Sequence, residues 1–239
     1  MHGAVLDHGR EAAASMEGAR ERLLIASGLR EKDVLAGNLF DKYGSRNPIV
    51  RALMRGFEQS LQSFVALTIA TKVHEVGCGE GRWTIEWAAR GLDVRGSDFS
   101  EHVLDLARAN CARAGVTAGF RAASIYDLEP GTDAAELVVC CEVLEHLEHP
   151  ERAVDVLASL ASPWLIASVP REPIWSAMNM ARGKYWSSWG NTPGHVQRFS
   201  TGDFVRLLSR RFEVVALRQP LPWSMALCRV REHEGGSPA

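Results

Sequence analysis

Val73-His74-Glu75-Val76-Gly77-Cys78-Gly79-Glu80-Gly81 reads as a short buried strand running into a turn with glycine at every second position. Directly after it, Trp83, Ile85, Trp87 and Ala88 share an inward side at helical spacing. Gly77, Gly79 and Gly81 let the backbone bend sharply and approach a ligand without Cβ clashes. The helix that follows aims its free N–H groups at whatever sits over the turn. Strand, glycine turn and helix together read as the opening βα unit of a parallel α/β sheet.

Two ligand classes use such a turn, dinucleotides and S-adenosylmethionine (SAM). The dinucleotide pattern is G-x-G-x-x-G. Here the spacing is G-x-G-x-G, and Glu75 stands two residues before the first glycine. A carboxylate there repels a pyrophosphate and suits a ligand with an ammonium group. Residues 73–84 resemble the first motif of class I SAM-dependent methyltransferases. The resemblance implies SAM as cofactor, held by Glu75, Gly77, Cys78, Gly79 and Gly81.

A second match lies in Val94-Arg95-Gly96-Ser97-Asp98-Phe99-Ser100. Asp98 stands where a second parallel strand would finish, about 20 residues after the glycine turn, the place for an acid that binds ribose hydroxyls. By itself Asp98 would read as a turn or cap residue; the spacing from Gly77 favours the ribose. Phe99 follows it into the cofactor site. Ser100 is a good N-cap, with Glu101 favoured in the first helical turn. In Phe120 to Leu128 a strand leads into a loop. Methyltransferases of this kind usually have an acid for the adenine amine where this chain has Ser124, whose hydroxyl also accepts a hydrogen bond. Ile125 would pack on the adenine face, and Asp127 is the nearest replacement acid.

The fourth motif is Leu137-Val138-Val139-Cys140-Cys141-Glu142-Val143-Leu144-Glu145-His146-Leu147. A buried strand ends near Cys141, at the carboxyl edge where such sheets bind ligands. A helical turn after it would put Glu142, Glu145 and His146 on one side. E-V-L-E-H resembles the motif of quinone-pathway O-methyltransferases, and also the metal motif of methyltransferases that act on a 2′-hydroxyl at small-RNA ends. Those RNA enzymes supply a further histidine downstream, where this chain has His195. Two readings follow. Glu142, Glu145, His146 and His195 hold a divalent ion, Mg, Mn, Fe or Zn, that activates a hydroxyl acceptor. Alternatively no metal binds, Glu142, His146 and Cys141 border the cofactor and acceptor, and His146 or His195 is the base. His149 precedes Pro150 and is expected on the surface.

The segment 170–198 is long for a loop and reads as a cap over the acceptor. Trp175, Met178, Met180, Tyr185, Trp186 and Trp189 suit an aromatic or apolar molecule. Arg171, Arg182, Lys184 and Arg198 admit an anionic one. Part of the aromatic set would build the cap's own core.

Composition bounds the rest. The chain has 239 residues, 46% of them hydrophobic and 23% charged, as is typical of a soluble globular protein. A net charge of −2 gives no bulk drive toward nucleic acid or an anionic membrane. Cys78, Cys111, Cys140, Cys141 and Cys228 lack C-x-x-C spacing and are expected as thiols of a cytoplasmic protein. No apolar run reaches membrane-spanning length, and the N-terminal residues show no signal-peptide pattern. Residues 1–40 are expected as a helical extension, 41–232 as the methyltransferase domain and 233–239 as a disordered tail. Tyr43 and Arg46 are expected to close over the cofactor's amino-acid end. A helix from Pro48 carries Ile49, Leu53, Phe57, Leu61 and Phe64. The core is expected as strands 72–77, 93–98, 117–123, 136–141 and 163–169 with helices 81–90, 101–114 and 150–160. A capping-box helix 200–209 and strands 211–219 and 223–231 complete it.

The combined reading is a Rossmann-like α/β fold, mostly parallel and seven-stranded with a reversed last strand. It implies methyl transfer to a hydroxyl, less so to an amine or carbon, of a small molecule. Methylation of RNA ends, a non-catalytic SAM-binding domain and an NAD-dependent oxidoreductase are the rival readings. The acceptor's identity and the oligomeric state are left open.

Overall fold

The computed structural model describes residues 23–31, 34–38, 41–181, 189, 192 and 194–231. The short strands β1 (Arg30–Glu31) and β2 (Val34–Leu35) precede helix α1 (Pro48–Thr68). Then come β3 (Lys72–Val76), α2 (Arg82–Ala89), β4 (Asp93–Asp98), α3 (Glu101–Ala114) and β5 (Gly119–Ala122). The one-turn α4 (Pro130–Asp133) leads to β6 (Ala135–Cys141), α5 (Pro150–Leu160) and β7 (Ala161–Pro170). α6 (Ile174–Ala181), α7 (Thr201–Leu208), β8 (Phe212–Arg218) and β9 (Trp223–Val230) follow. Seven strands form one sheet in the order β5-β4-β3-β6-β7-β9-β8. β9 is antiparallel to both of its neighbours, the reversed strand expected of this fold.

Two compact units divide the chain, residues 1–55 with 71–125 and residues 56–70 with 126–239. In the first, β3 pairs parallel with β4, and β4 with β5. All of β3 beyond Lys72 is buried, as for a strand covered on both faces. α3 begins where Ser100 Oγ accepts from the Val103 amide at 3.3 Å, and ends at left-handed Gly115. Its Val103, Leu104 and Ala107 are fully buried, as is Trp87 of α2. In the second unit β6 pairs parallel with β7. Leu137, Val138, Val139 and Cys140 of β6 are fully buried, with Phe57, Leu61, Phe64, Phe204 and Phe212. Pro150 opens α5, and Ser200 caps α7 through the Asp203 amide at 3.1 Å.

Two expectations need correction. The extension is not helical at Arg30–Glu31 and Val34–Leu35, which pair as antiparallel strands. Its neighbouring backbone groups find side-chain partners instead of a helical ladder: Leu24 is held by Asn110, and Ala26 and Asn38 by Glu80. At the start of α1, Ile49 is 67% exposed and outside the core that Phe57, Leu61 and Phe64 enter. Residues 1–22, the 232–239 tail, and Arg182, Lys184, Tyr185 and Trp186 of the cap lie outside the described residues.

Gly96 shows how the sheet sets the turn. It pairs with Glu75 across β3 and β4. A methyl group at this position would lie 2.7 Å from Cys78 Sγ, 2.9 Å from Cys78 Cβ and 3.1 Å from a Phe120 ring carbon. The nearest atoms belong to the base of the Cys78 side chain, which is anchored in the glycine turn. Gly96→Ala should therefore cost about 1–3 kcal/mol in urea unfolding, the range for overpacking a dense interior. Unchanged stability would show that the turn yields freely.

Candidate active site

In the first unit the glycine turn is built by hydrogen bonds from β4. The amides of Gly77 and Cys78 both donate to the Ser97 carbonyl, at 2.7 and 3.0 Å. Gly77, Gly79 and Gly81 have φ of 76°, 52° and 82°, conformations costly for residues with a Cβ. Gly81 also packs on α3, where a Cβ would meet Ala107 Cβ at 3.2 Å.

Two buried acids brace this turn. Asp98 accepts from the amides of Gly79 at 3.0 Å and Ser100 at 3.1 Å. Glu75 accepts from the Thr84 amide at 2.8 Å and the Thr84 hydroxyl at 2.5 Å, so it caps the first turn of α2 from the neighbouring strand. This role was not read from the sequence, although a threonine three residues past the last glycine was its available signal. Burial pushes the Glu75 carboxyl from its ordinary 4.5 up to about 8, against the two Thr84 bonds that pull it down. Burial also raises Asp98, opposed by the amides of Ser100 and Gly79. Glu75 thus carries a proton at neutral pH until a cation approaches, a change from the fixed negative charge expected. Two buried carboxyls with raised proton affinity fit a ligand bearing an ammonium and hydroxyls better than a pyrophosphate.

The other expected cofactor residues are distributed as follows. Phe99 is 42% exposed, Ile125 is buried and Ser124 half-buried. Asp127 is exposed at the end of a 3-10 turn. Tyr43 lies edge-on to Trp83, ring centres 5.4 Å apart, with the Arg82 guanidinium over both rings. Cys78 is buried, and burial pushes its thiol well up. Replacing Asp98 by Ala should weaken binding of S-adenosylhomocysteine (SAH) by about 1–3 kcal/mol, the loss when buried partners go unpaired. Calorimetric titration reads it; unchanged affinity would remove Asp98 from the ribose.

In the second unit the E-V-L-E-H run follows β6, and Cys141 is half-buried there. It forms a single 3-10 turn, Leu144–His146, rather than α-helix. Glu142 precedes that turn with φ of 57°. The left-handed residue breaks the helical spacing, so Glu142, Glu145 and His146 do not share the face expected. The gathered set is Glu145, His146 and His195, whose ligand atoms lie within 4.8 Å of one another. Glu142 stands outside it and accepts from Trp223 Nε1 at 2.9 Å.

A loop zipped onto the turn brings His195 to this place. The amides of Val196 and Gln197 both donate to the Glu145 carbonyl at 2.9 Å. His146 Nδ1 lies 2.9 Å from the Gly194 carbonyl. A carbonyl only accepts, so Nδ1 of His146 carries a proton. The His146 and His195 rings meet edge to face at 4.9 Å, and Trp175 stacks on His195 at 6.0 Å. Burial drives His195 from 6.5 down to about 4, helped by His146 and opposed by Glu142. Near pH 7 the His195 imidazole is thus neutral. His149 is exposed, as expected.

This fold is the Rossmann-like fold of class I methyltransferases, and the comparisons agree. Residues 73–163 match the family described as a methyltransferase domain. Over 108 residues the chain is 35% identical to the ubiquinone biosynthesis O-methyltransferase of Methylococcus capsulatus, covering 44% of each chain. Over 94 residues it is 36% identical to the Azoarcus enzyme of the same name, covering 38% of this chain and 40% of that one. The chain thus spans less than half the length of these curated relatives. Among solved structures, SAH-bound magnesium protoporphyrin IX methyltransferase from Synechocystis superposes with a TM-score of 0.60 at 22% identity. That match covers 79% of this chain and 89% of the other. The Bradyrhizobium japonicum N-methyltransferase NodS, also with SAH, gives 0.59 at 19% identity, over 79% and 90% of the two chains.

Proposed function

We propose that the chain transfers the methyl group of SAM to a hydroxyl of a small aromatic or otherwise apolar molecule. The observation that carries the acceptor half is the cluster of Glu145, His146 and His195 beside Trp175. In the transfer, the acceptor oxygen bonds to the sulfonium methyl, the C–S electron pair stays on sulfur to give SAH, and the hydroxyl proton leaves. Glu75, the glycine turn and Asp98 bind and orient the cofactor, and alignment of this kind supplies much of the rate. His195, neutral near pH 7, accepts the proton. The half-buried Trp175 offers flat apolar surface to a ring. The named O-methyltransferase relatives support a hydroxyl acceptor, whereas a net charge of −2 disfavours RNA. No helix among the described residues is long and apolar enough to cross a membrane. The five cysteines are all free thiols, and we place the protein in the cytoplasm.

The same cluster fits a divalent ion. One carboxylate and two imidazoles form a nitrogen and oxygen donor set. The Nδ1–H of His146 directed at a carbonyl is the usual second contact of a ligating histidine. Glu145, His146 and His195 would hold the ion, which when bound would lower the pKa of an acceptor hydroxyl. Methyl-labelled SAM offered to a panel of phenols, catechols and amines tests the transfer. Label should appear in hydroxyl compounds; label in amines alone would overturn the O-transfer reading. Titration of Mg, Mn and Zn into chelator-stripped, SAH-saturated protein tests the ion. One site that vanishes in Glu145→Ala is expected for the metal reading, and no site would leave His195 as an unassisted base.

A further inference from the structure

Glu80 is a buried acid in the first unit, 2% exposed, that the reaction above does not use. A buried carboxylate needs donors, and among the described residues Glu80 draws them from one distant stretch of chain. Its Oε1 accepts the amides of Ala26 at 3.0 Å and Asn38 at 2.7 Å, and its Oε2 accepts Asn38 Nδ2 at 2.5 Å. The approach is close enough to dictate a glycine. Gly37 has φ of +68°, and a Cβ there would lie 2.6 Å from Glu80 Oε1. Asn110 of α3 adds a second clamp. It donates to the carbonyls of Leu24 and Glu80 at 3.0 Å each and accepts the Leu24 amide at 2.9 Å. Within the stretch, the Ser27 amide donates to the Asn38 carbonyl at 3.1 Å and that of Ala36 to Leu29 at 2.9 Å. The clamped end reaches the glycine turn, because Asn38 Nδ2 lies 4.0 Å from the point where a Cβ on Gly79 would stand.

We propose that residues 23–31 and 34–38 form a strap that is one wall of the cofactor site. Asn38 is the residue of the strap that touches the cofactor, and Glu80 is the positioning residue that holds it there. The inference rests on the SAM reading above. With Nδ2 taken by Glu80, the carboxamide presents Oδ1, an acceptor, to the ligand. The matching donor is the ammonium of the cofactor's amino-acid end, the same group that suits Glu75. Glu80 needs both of its oxygens as acceptors. In Glu80→Gln an amide NH₂ would face either Asn38 Nδ2 or the strap amides, donor against donor, and the Asn38 side chain would turn away.

Calorimetry with SAH and with methylthioadenosine, which lacks the amino-acid end, tests this on the full chain. Asn38→Ala and Glu80→Gln should each weaken SAH about tenfold, the worth of one buried polar contact. Both variants should leave methylthioadenosine affinity unchanged. The double variant should lose little more than either single one, since Glu80 acts through Asn38. SAH affinity within twofold of wild type in Asn38→Ala, or equal losses for both ligands, would overturn the proposal. If Glu80→Gln does not fold, Asn38→Ala alone decides. A wild-type chain that binds no SAH would overturn the cofactor reading together with the strap.

Discussion

Replacing His195 by alanine should lower methyl transfer by about 10²–10⁴-fold, the usual contribution of a positioned general base, and leave SAH affinity unchanged. The size follows from the environment of the ring. His195 is held by its amide on the Thr192 carbonyl at 3.0 Å and by the stacked indole of Trp175. Burial pushes its basicity down to about 4, so near pH 7 the imidazole is neutral and carries a ring lone pair. An alanine removes that lone pair without touching the glycine turn, so the loss should appear in kcat rather than in SAH binding. Single-turnover transfer of labelled methyl, with SAH calorimetry alongside, separates the two. Full turnover by His195→Ala would move the proton acceptor to His146. Trp223→Phe should show a smaller loss in the same assay, because it frees the Glu142 carboxylate from the 2.9 Å indole bond without removing a base.

The second large effect is a pH dependence centred on Glu75. Folded, this carboxyl titrates at about 8, against an ordinary 4.5. The folded chain therefore keeps a proton that the unfolded chain gives up between these values. The stability Glu75 contributes is complete below about pH 4.5 and is lost as pH rises toward 8. At 1.36 kcal/mol per unit the gap is worth up to about 4–5 kcal/mol. Urea unfolding of the ligand-free protein from pH 5 to 8.5 should show that fall, and Glu75→Gln should flatten it. An ammonium brought beside Glu75 would favour its charged form, so SAH binding near pH 7 should release a proton. Calorimetry in two buffers of different ionisation enthalpy reads the release. Equal heats in the two buffers would mean that the ammonium does not meet Glu75.

Local chemistry explains what the sequence makes legible here. Ser100 and Ser200 cap helices that begin at the next residue, and Pro150 opens a third, because caps and prolines act within one turn. β3 beyond Lys72 and Leu137–Cys140 of β6 are continuously buried, as for strands covered on both faces. The β4 acid lies 19 residues beyond the glycine whose amide it holds, close to the spacing that first singled it out. What stayed hidden depends on partners far apart in the chain. Nothing near Glu142 announces its left-handed backbone or a bond to Trp223, 81 residues later. The assumption of a continuing helix after β6 therefore grouped Glu142 with Glu145 and His146. Likewise, the start was expected as helix, but Asn110 and Glu80 hold Leu24, Ala26 and Asn38 from 42 to 86 positions away. His195 was legible only as a histidine after an insertion, and the Glu145 carbonyl that docks its loop carries no sequence signal at all.

The central claim is that the turn between β3 and α2 binds SAM rather than a dinucleotide. Calorimetric titration of the full chain with SAH, and separately with NADH, tests it most directly. One SAH site per chain, lost or weakened in Asp98→Ala, and no heat with NADH are the predicted result. Saturable NADH binding with no SAH site would contradict the account at its root.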